Sequence, residues 1–194
     1  ITRVYDPNSG TIYIDNVELK NLNLNKLRSQ IGYVPQNPFL FSESINENIK
    51  FGKINSTLEE IKNASEKANV SIDIENFSKK YDTIIGERGL TLSGGQIQRI
   101  SLARALIRNP KILLLDDCLS SVDIKTEKNI LKNLKNFTNK KTTIIISHRI
   151  SSIKHCDKII VLKKGKIIEQ GNHKSLNKNN SYYNKLFIKQ NTEK

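Results

Sequence analysis

Residues 92–96 have the sequence LSGGQ, and residues 112–117 have the sequence ILLLDD. Ser93 is a favoured helix N-cap, and the two glycines after it let a backbone approach a ligand closely. A helix N-terminus also presents unpaired N–H groups and a positive dipole end, which suit phosphate. The run at 112–117 is typical of a buried strand that delivers two carboxylates to the edge where ligands bind in open α/β sheets. One stretch thus predicts an anion-binding helix start and a pair of acids.

The composition fits a single domain in a reducing compartment. The chain has 194 residues, enough for a hydrophobic core, and because it begins at Ile1 and contains no Met we expect a fragment of a longer protein. No apolar run approaches the ~20 residues of a membrane span, and no secretory signal is visible. Cys118 and Cys156 are expected to be reduced, buried or half-buried thiols, because nothing marks them as ligands or nucleophiles.

The net charge of +13 comes mostly from lysine. A nucleic-acid surface is one interpretation of such a charge. The lysines are scattered, however, and no basic stripe interleaved with aromatic residues occurs, so we expect no nucleic-acid partner. We give affinity for anionic lipid headgroups the same low weight as a nucleic-acid surface.

The hydrophobic pattern alternates short strands with helices. Strands are predicted at 11–14, 31–34, 112–115 and 142–146, the last two of them buried. Helices are predicted at about 58–68, 96–108 and 125–137, with a helical turn at 45–49 and the tail of a helix at 1–5. A hairpin of 159–162 with 167–169 and an amphipathic helix around Tyr182 and Phe187 follow. This alternation predicts an α/β fold with a largely parallel sheet.

Polar residues follow the predicted strands at positions that suit phosphoryl transfer, which needs phosphate donors, Mg²⁺ and a group that positions water. Asp116 could hold Mg²⁺, and Asp117 could orient or deprotonate water. His148 could contact a γ-phosphate, and Gln36 could reach the metal or the water. The phosphate donors are expected from Ser93, Gly94, Gly95 and Gln96.

Each of these signals alone has an ordinary structural explanation. Paired aspartates often lie in a solvated turn, a histidine at a strand end is often structural, and a Ser-Gly-Gly-Gln run can be a simple capped helix. Their order along the chain is far more specific than any one of them.

In this order the motifs resemble those of the nucleotide-binding domain of ABC transporters. The signature motif is 92–96, the Walker B strand is 112–116 and the D-loop is 120–123, with Gln36 in the Q-loop and His148 as the switch histidine. The resemblance covers essentially all of the chain. It implies ATP and Mg²⁺ as substrate and ion.

The resemblance also implies a fold and its subdivision. The fold is an α/β P-loop NTPase with a RecA-like parallel sheet core and a helical signature subdomain, truncated at its N-terminus. Residues 1–194 form one incomplete ABC ATPase domain. Its helical subdomain is expected at about 45–108, and its C-terminal hairpin and helix at about 159–190.

Three further segments resemble exporters within this family, namely 39–42 (FLFS), 45–49 (INENI) and 81–89 (YDTIIGERG). The resemblance implies efflux of drugs, lipids or peptides through a fused transmembrane domain, at the cytoplasmic face of the cell membrane. Glu87, Arg88 and Asp123 are expected to transmit across the interface, and the Gln36 segment to face the transmembrane coupling helices. The transported substrate is chosen by the transmembrane part.

One departure from the family pattern is the phosphate loop. No G-x-x-x-x-G-K-[ST] sequence occurs in the chain, and in the family it lies just before a segment like 1–10. We therefore expect the fragment alone to lack a central strand, to fold poorly, to bind ATP weakly and to be inactive.

The second departure is Asp117, because the family usually has Glu there as the catalytic base. Asp is one methylene shorter, and a displacement of about 1 Å can cost ~100-fold in rate. This resembles the degenerate-site subunit of heterodimeric exporters, which lends its intact signature to a second ABC subunit. The alternatives are a slow or non-hydrolysing regulatory half and a soluble, non-transport ABC ATPase of DNA repair or translation.

Overall fold

The computed structural model describes residues 1–86, 89–178 and 180–192. The chain divides into two compact units, Ile1–Ile144 and Ile145–Lys194, which are treated separately below. Among the described helices, none combines the length and apolar character needed to cross a membrane.

The first unit contains strands and helices at the predicted positions, with four described α-helices in succession between its third and fourth strands. The strands are β1 (Tyr13–Ile14), β2 (Val17–Glu18), β3 (Ile31–Val34), β4 (Ile112–Asp116) and β5 (Thr142–Ile146), the last of which crosses the boundary between the units. The α-helices are α1 (Leu24–Ser29), α2 (Ile45–Lys50), α3 (Leu58–Lys67), α4 (Ser71–Glu75), α5 (Gly94–Leu106) and α6 (Ile124–Phe137). Short 3₁₀ turns lie at Leu19–Asn21 and Lys80–Asp82.

A three-stranded sheet in the order β3-β4-β5 forms the centre of this fold. β3 and β4 are parallel, with Ile31 opposite Ile112 and Val34 opposite Leu115. Their carboxyl ends therefore lie side by side, which brings the residues after each strand to the same edge. The predicted parallel α/β architecture is confirmed.

The prediction that residues 142–146 form a buried strand is correct in position and wrong in burial. Ile144 is 36% exposed and Ile146 is 58% exposed, and exposure alternates along β5. Because successive side chains of a strand point to opposite faces, this alternation shows that one face of β5 is open to solvent. Hydrophobic composition alone could not reveal that open face.

Helix α5 is the central helix of the first unit. It packs against α2, α3 and β3, and Ile100, Leu102 and Ala103 are fully buried. The helix begins at Gly94 because the Ser93 side chain caps it, two residues before the predicted start. Burial on nearly every side makes α5 a rigid support for the residues at its N-terminus.

The predicted helix tail at residues 1–5 is wrong. Arg3 has a left-handed φ of +51°, which a right-handed helix does not accept, and Val4 and Tyr5 are exposed. Nη1 of Arg3 instead donates hydrogen bonds to the main-chain carbonyls of residues 19, 20 and 22. This long-range contact outweighs the local helical preference.

The second unit contains the predicted hairpin. Strands β6 (Ile159–Lys163) and β7 (Lys166–Gly171) are antiparallel and joined through Lys164 and Gly165, both at positive φ, as a tight hairpin requires. Helices α7 (Ile150–Ile153), α8 (His173–Leu176) and α9 (Tyr182–Thr192) complete the unit. Its small core consists of Ile150, Ile159, Leu176 and Tyr183.

Candidate nucleotide and metal site

The LSGGQ segment forms the capped first turn of α5. Oγ of Ser93 accepts from the Gln96 N–H at 3.2 Å, and Oε1 of Gln96 accepts from the Ser93 N–H at 2.9 Å. The N–H groups of Gly94 and Gly95 lie in the first turn, where a helix offers no internal acceptor. Ser93 and Gly94 are exposed. This turn can therefore receive a phosphate that approaches from outside the chain.

A charged contact that the sequence did not reveal holds this turn from one side. Nε2 of Gln96 donates to Oδ1 of Asp73 at 3.1 Å, and the Arg99 guanidinium binds both oxygens of Asp73 at 2.7 and 3.2 Å. Arg99 also donates to the main-chain carbonyls of Gly95 and Asn69. The signature turn is thus tied to α4, although more than twenty residues of sequence lie between them.

Asp73 remains ionised in this setting. Burial opposes its ionisation, but the hydrogen bonds from Arg99 and then Gln96 outweigh that effect and lower the pKa of Asp73 below its usual value. A charged Asp73 in turn orients the Gln96 amide. The sequence signal available was an arginine one helical turn beyond Gln96, which indicates an acidic partner without identifying it.

The second part of the site lies at the carboxyl edge of β3 and β4. Asp116 ends β4, Asp117 follows it, and Gln36 lies two residues beyond β3. Nε2 of Gln36 donates to Oδ2 of Asp117 at 3.5 Å, a long hydrogen bond between residues 81 positions apart. The structure therefore brings together the two predicted residues Gln36 and Asp117, beside Asp116.

Asp117 has an unusual backbone and little exposure. Its φ is +46°, a left-handed conformation that Asp tolerates better than most residues, and 9% of its surface is exposed. An enclosed carboxylate can adopt few positions. The distance to which the Asp117 side chain extends is therefore set by the turn that holds its backbone.

Asp116 has a neighbour that the sequence did not indicate. Tyr33 lies on β3, opposite Leu114 of β4. The pKa of Tyr33 is raised first by burial and then by its interaction with the Asp116 carboxylate. The Tyr33 side chain therefore lies near the Asp116 carboxylate.

The donor set at this edge fits Mg²⁺. Mg²⁺ prefers oxygen ligands and is usually bound through one or two carboxylates together with substrate phosphates. Asp116 and the Gln36 amide oxygen could supply such ligands. Within the described ranges no cluster of three or more His, Cys, Asp or Glu side chains could enclose an ion.

Of the remaining predicted residues, Asp123 is the N-cap of α6, where Oδ1 accepts from the N–H groups of Lys125 and Thr126. The main-chain bond from Thr126 is the first cause of the lowered pKa of Asp123. His148 follows β5 in the second unit, and its carbonyl accepts from Nε2 of Gln190 at 2.6 Å. Glu87 and Arg88 lie outside the described residues.

Comparison with known proteins identifies relatives along the whole chain. A family profile described as "ABC transporter" matches residues 1–120. ABC transporter B family member 24, mitochondrial, of Arabidopsis thaliana is 43% identical over 193 residues, which are 100% of this chain and 28% of that protein. The probable multidrug resistance ABC transporter ATP-binding/permease protein YheI of Bacillus subtilis is 44% identical over 190 residues, 98% of this chain and 32% of that protein.

A solved structure has the same fold over nearly the whole chain. A bacterial Atm1-family ABC exporter with ATP bound superposes with a TM-score of 0.93 at 39% sequence identity, over 97% of this chain and 33% of that chain. The chain thus spans about a third or less of the length of the relatives it matches. The profile match, these identities and the shared α/β P-loop NTPase fold agree, and the chain belongs to the ABC transporter family.

Proposed function

We propose that the chain is the ATP-hydrolysing motor domain of an ABC exporter, which couples Mg²⁺-dependent ATP hydrolysis to efflux of a drug, lipid or peptide. The observation that carries the proposal is the contact of Gln36 with Asp117, beside Asp116, at the carboxyl edge of parallel strands. Phosphoryl transfer needs groups there that hold a cation and orient the nucleophile. Further support comes from a relative named as a multidrug resistance ATP-binding/permease protein and from the ATP-bound exporter structure.

In the proposed mechanism each side chain at the edge has one task. Asp116 would hold Mg²⁺, whose charge would offset that of the phosphates. Asp117 would orient the attacking water and accept its proton. Gln36 would contact the metal or that water. His148, which lies in the second unit and not at this edge, is proposed separately to contact a γ-phosphate. The water oxygen bonds to the γ-phosphorus as the bond to the β-phosphate oxygen breaks, which yields ADP and inorganic phosphate.

The first turn of α5 is proposed to serve a second nucleotide, one bound by another ABC subunit. Ser93 and Gly94 are exposed, which supports access by a ligand held outside this chain. Asp123, Glu87 and Arg88 are proposed to act at the same subunit interface. Each subunit would then contribute its strand-edge acids to one ATP and its signature turn to the other.

A heterodimer is the arrangement that Asp117 favours. Its side chain is shorter than the Glu implied by the resemblance, and it is confined by burial and a left-handed backbone. The site that contains Asp117 is therefore proposed to turn over slowly, while the partner's site receives an intact signature. A second candidate follows from the same observation, in which this subunit binds ATP without hydrolysis and regulates its partner.

A fused transmembrane domain is proposed to anchor the protein at the cytoplasmic face of the cell membrane. The chain covers about a third of the length of two relatives, one described as an ATP-binding/permease protein and the other as an exporter, which supports the presence of such a domain. Residues 45–108 are proposed to form the helical subdomain, and residues 159–190 the C-terminal hairpin and helix, of one ABC ATPase domain. A soluble ABC ATPase is the less favoured alternative.

An exposed aromatic cluster supports docking of the transmembrane part near the Gln36 segment. Phe39 and Phe41 meet edge to face at 5.2 Å, Phe41 and Phe51 lie 4.9 Å apart, and Phe39 and Phe51 are 68% and 61% exposed. The Arg104 guanidinium lies over the Phe41 and Phe51 rings and donates to the carbonyls of Phe39 and Asn48. A fixed apolar surface of this kind suits short cytoplasmic helices of a membrane domain.

The experiment is transport by the full-length protein in proteoliposomes, reconstituted alone and with the product of its neighbouring gene. We expect drug-stimulated ATPase activity and efflux from the pair, and about 100-fold less ATPase activity from the protein alone. Rapid drug-stimulated ATPase activity from a homodimer, unchanged by Asp117→Asn, would contradict the heterodimer. A complete gene without upstream hydrophobic spans would favour the soluble alternative.

A further inference from the structure

Gln98 is a buried amide whose two ends are both engaged by the segment 119–122. It is 4% exposed, and its Nε2 donates to Oγ of Ser120 at 3.1 Å. Its Oε1 accepts from the Ser121 N–H at 3.0 Å. A buried amide that uses donor and acceptor together fixes the partner segment in both position and orientation. Gln98 lies on α5, two residues after Gln96, the last signature residue.

The same segment lies directly on the signature glycines. A Cβ atom added to Gly95 would lie 3.0 Å from the Ser121 carbonyl oxygen, and one added to Gly94 would lie 3.3 Å from the Ser121 Cβ. The close approach at Gly95 therefore depends on the missing side chain. The segment and the first turn of α5 form one packed body, with Gln98 supplying its side-chain hydrogen bonds.

The other end of the segment is connected to Asp117 by a short, closed turn. The Ser120 N–H donates to the Asp117 carbonyl at 3.3 Å, and the Val122 N–H donates to the Leu119 carbonyl at 3.1 Å. Cys118, Leu119 and Val122 are 2%, 6% and 4% exposed. A turn with this burial and bonding transmits a displacement instead of absorbing it.

We infer that Gln98 is a positioning residue that locks segment 119–122 to the signature turn and so couples that turn to Asp117. The inference rests on the proposed function, in which the signature turn serves one nucleotide and Asp117 another. Nucleotide bound at the signature turn then sets the position of the carboxylate in the other site. Gln98 itself touches neither nucleotide.

The test is hydrogen exchange and ATPase kinetics on the full-length protein carrying Gln98→Met, which keeps the side-chain length and removes both hydrogen bonds. Exchange at the Ser121 N–H, without nucleotide, should accelerate about tenfold, because its acceptor is lost. The kcat for Mg²⁺-ATP should fall about tenfold while KM changes less than about threefold. With Mg²⁺ and a non-hydrolysable ATP analogue, added protection should appear at 117–122 in the wild type and not in the variant.

Three further variants separate positioning from general damage. Gln98→Glu keeps an oxygen acceptor for the Ser121 N–H and should restore slow exchange there. Ser65→Ala removes another buried hydrogen bond, from Oγ of Ser65 to the Ile61 carbonyl, and should leave Ser121 exchange and kcat unchanged. Ser120→Ala removes one of the two Gln98 contacts and should lower kcat about threefold. This variant serves as the test if Gln98→Met does not fold.

Wild-type exchange at Ser121 in Gln98→Met, or equal effects of Gln98→Met and Ser65→Ala, would overturn the lock. Persistence of nucleotide-induced protection at 117–122 in Gln98→Met would overturn the coupling. Absence of ATPase activity in the wild-type protein would instead contradict the proposed function. The exchange measurement without nucleotide tests the lock in either case.

Discussion

Nε2 of Gln36 donates to Oδ2 of Asp117 across 3.5 Å at the carboxyl edge of β3 and β4. The parallel register of Val34 with Leu115 creates this contact, because it aligns the ends of both strands. The Gln36 amide can adjust to the position of the Asp117 carboxylate. That carboxylate is itself held in place by the buried segment that leads to Ser120. The chemistry proposed at this edge therefore depends on how far the Asp117 side chain extends.

Lengthening that side chain should increase turnover. Asp117→Glu adds one methylene, and we expect kcat for ATP of the full-length protein assayed without its partner to rise about tenfold, because small displacements of a catalytic group are costly. The measurement is steady-state ATPase activity with Asp117→Asn as the matched control, which should lower it. Equal or lower activity for Asp117→Glu would show that the reach of Asp117 is not limiting.

Asp73 should support both stability and the signature turn. Asp73→Asn removes the charge that binds Arg99 and Gln96, and we expect a loss of about 1.5–3 kcal/mol in the free energy of unfolding, as for charged hydrogen bonds that are partly buried. Urea denaturation measures this. The control is Glu60→Gln at the exposed Lys53–Glu60 pair, where no change in the midpoint is expected. An equal loss in both variants would contradict the special role of Asp73.

The pH dependence of stability should carry the signature of the same carboxylate. The pKa of Asp73 is lowered in the folded state, since its hydrogen bonds outweigh the opposing effect of burial. Its contribution is complete above the unfolded pKa of about 3.9 and is lost as the pH falls through the folded pKa. The wild type should therefore lose more stability than Asp73→Asn between about pH 5 and pH 3. Parallel pH profiles of the two proteins would contradict this assignment.

Cys118 should be unreactive in the folded protein. Burial, followed by the charges of Asp117 and Asp116, raises the pKa of Cys118 to about 12, so almost no thiolate forms near neutral pH. Iodoacetamide labelling followed by mass spectrometry should modify Cys156, which is only partly buried, before Cys118. Labelling of Cys118 at the faster rate would indicate that the turn after Asp117 opens frequently.

Local patterns in the sequence predicted much of the fold. The strands at 31–34 and 142–146 have the predicted bounds because apolar runs rich in β-branched residues favour extended backbone. Ser93 was predicted as a cap because serine is a favoured N-cap residue, and its side chain does cap α5. These interactions join residues close together in the chain, so a short stretch of sequence is enough to predict them.

The rest depended on contacts between distant residues. Three features exist only in the folded chain and cannot be predicted from local periodicity. They are the Asp73–Arg99 pair, the proximity of Tyr33 to Asp116, and the burial of Gln98. Residues 1–5 failed as a helix for the same reason, since Arg3 reaches carbonyls sixteen or more positions away. The open face of β5 likewise depends on which elements pack against that strand and not on the apolar sequence at 142–146.

The most direct test of the account is single-turnover hydrolysis of ATP by the full-length protein with Mg²⁺, compared between wild type and Asp117→Asn. We expect slow, Mg²⁺-dependent formation of ADP and phosphate in the wild type, and a further fall of about 100-fold in the variant, because Asp117 is proposed to orient and deprotonate the attacking water. Hydrolysis at the same rate in both proteins would contradict the role of Asp117 and, with it, the proposed catalytic edge.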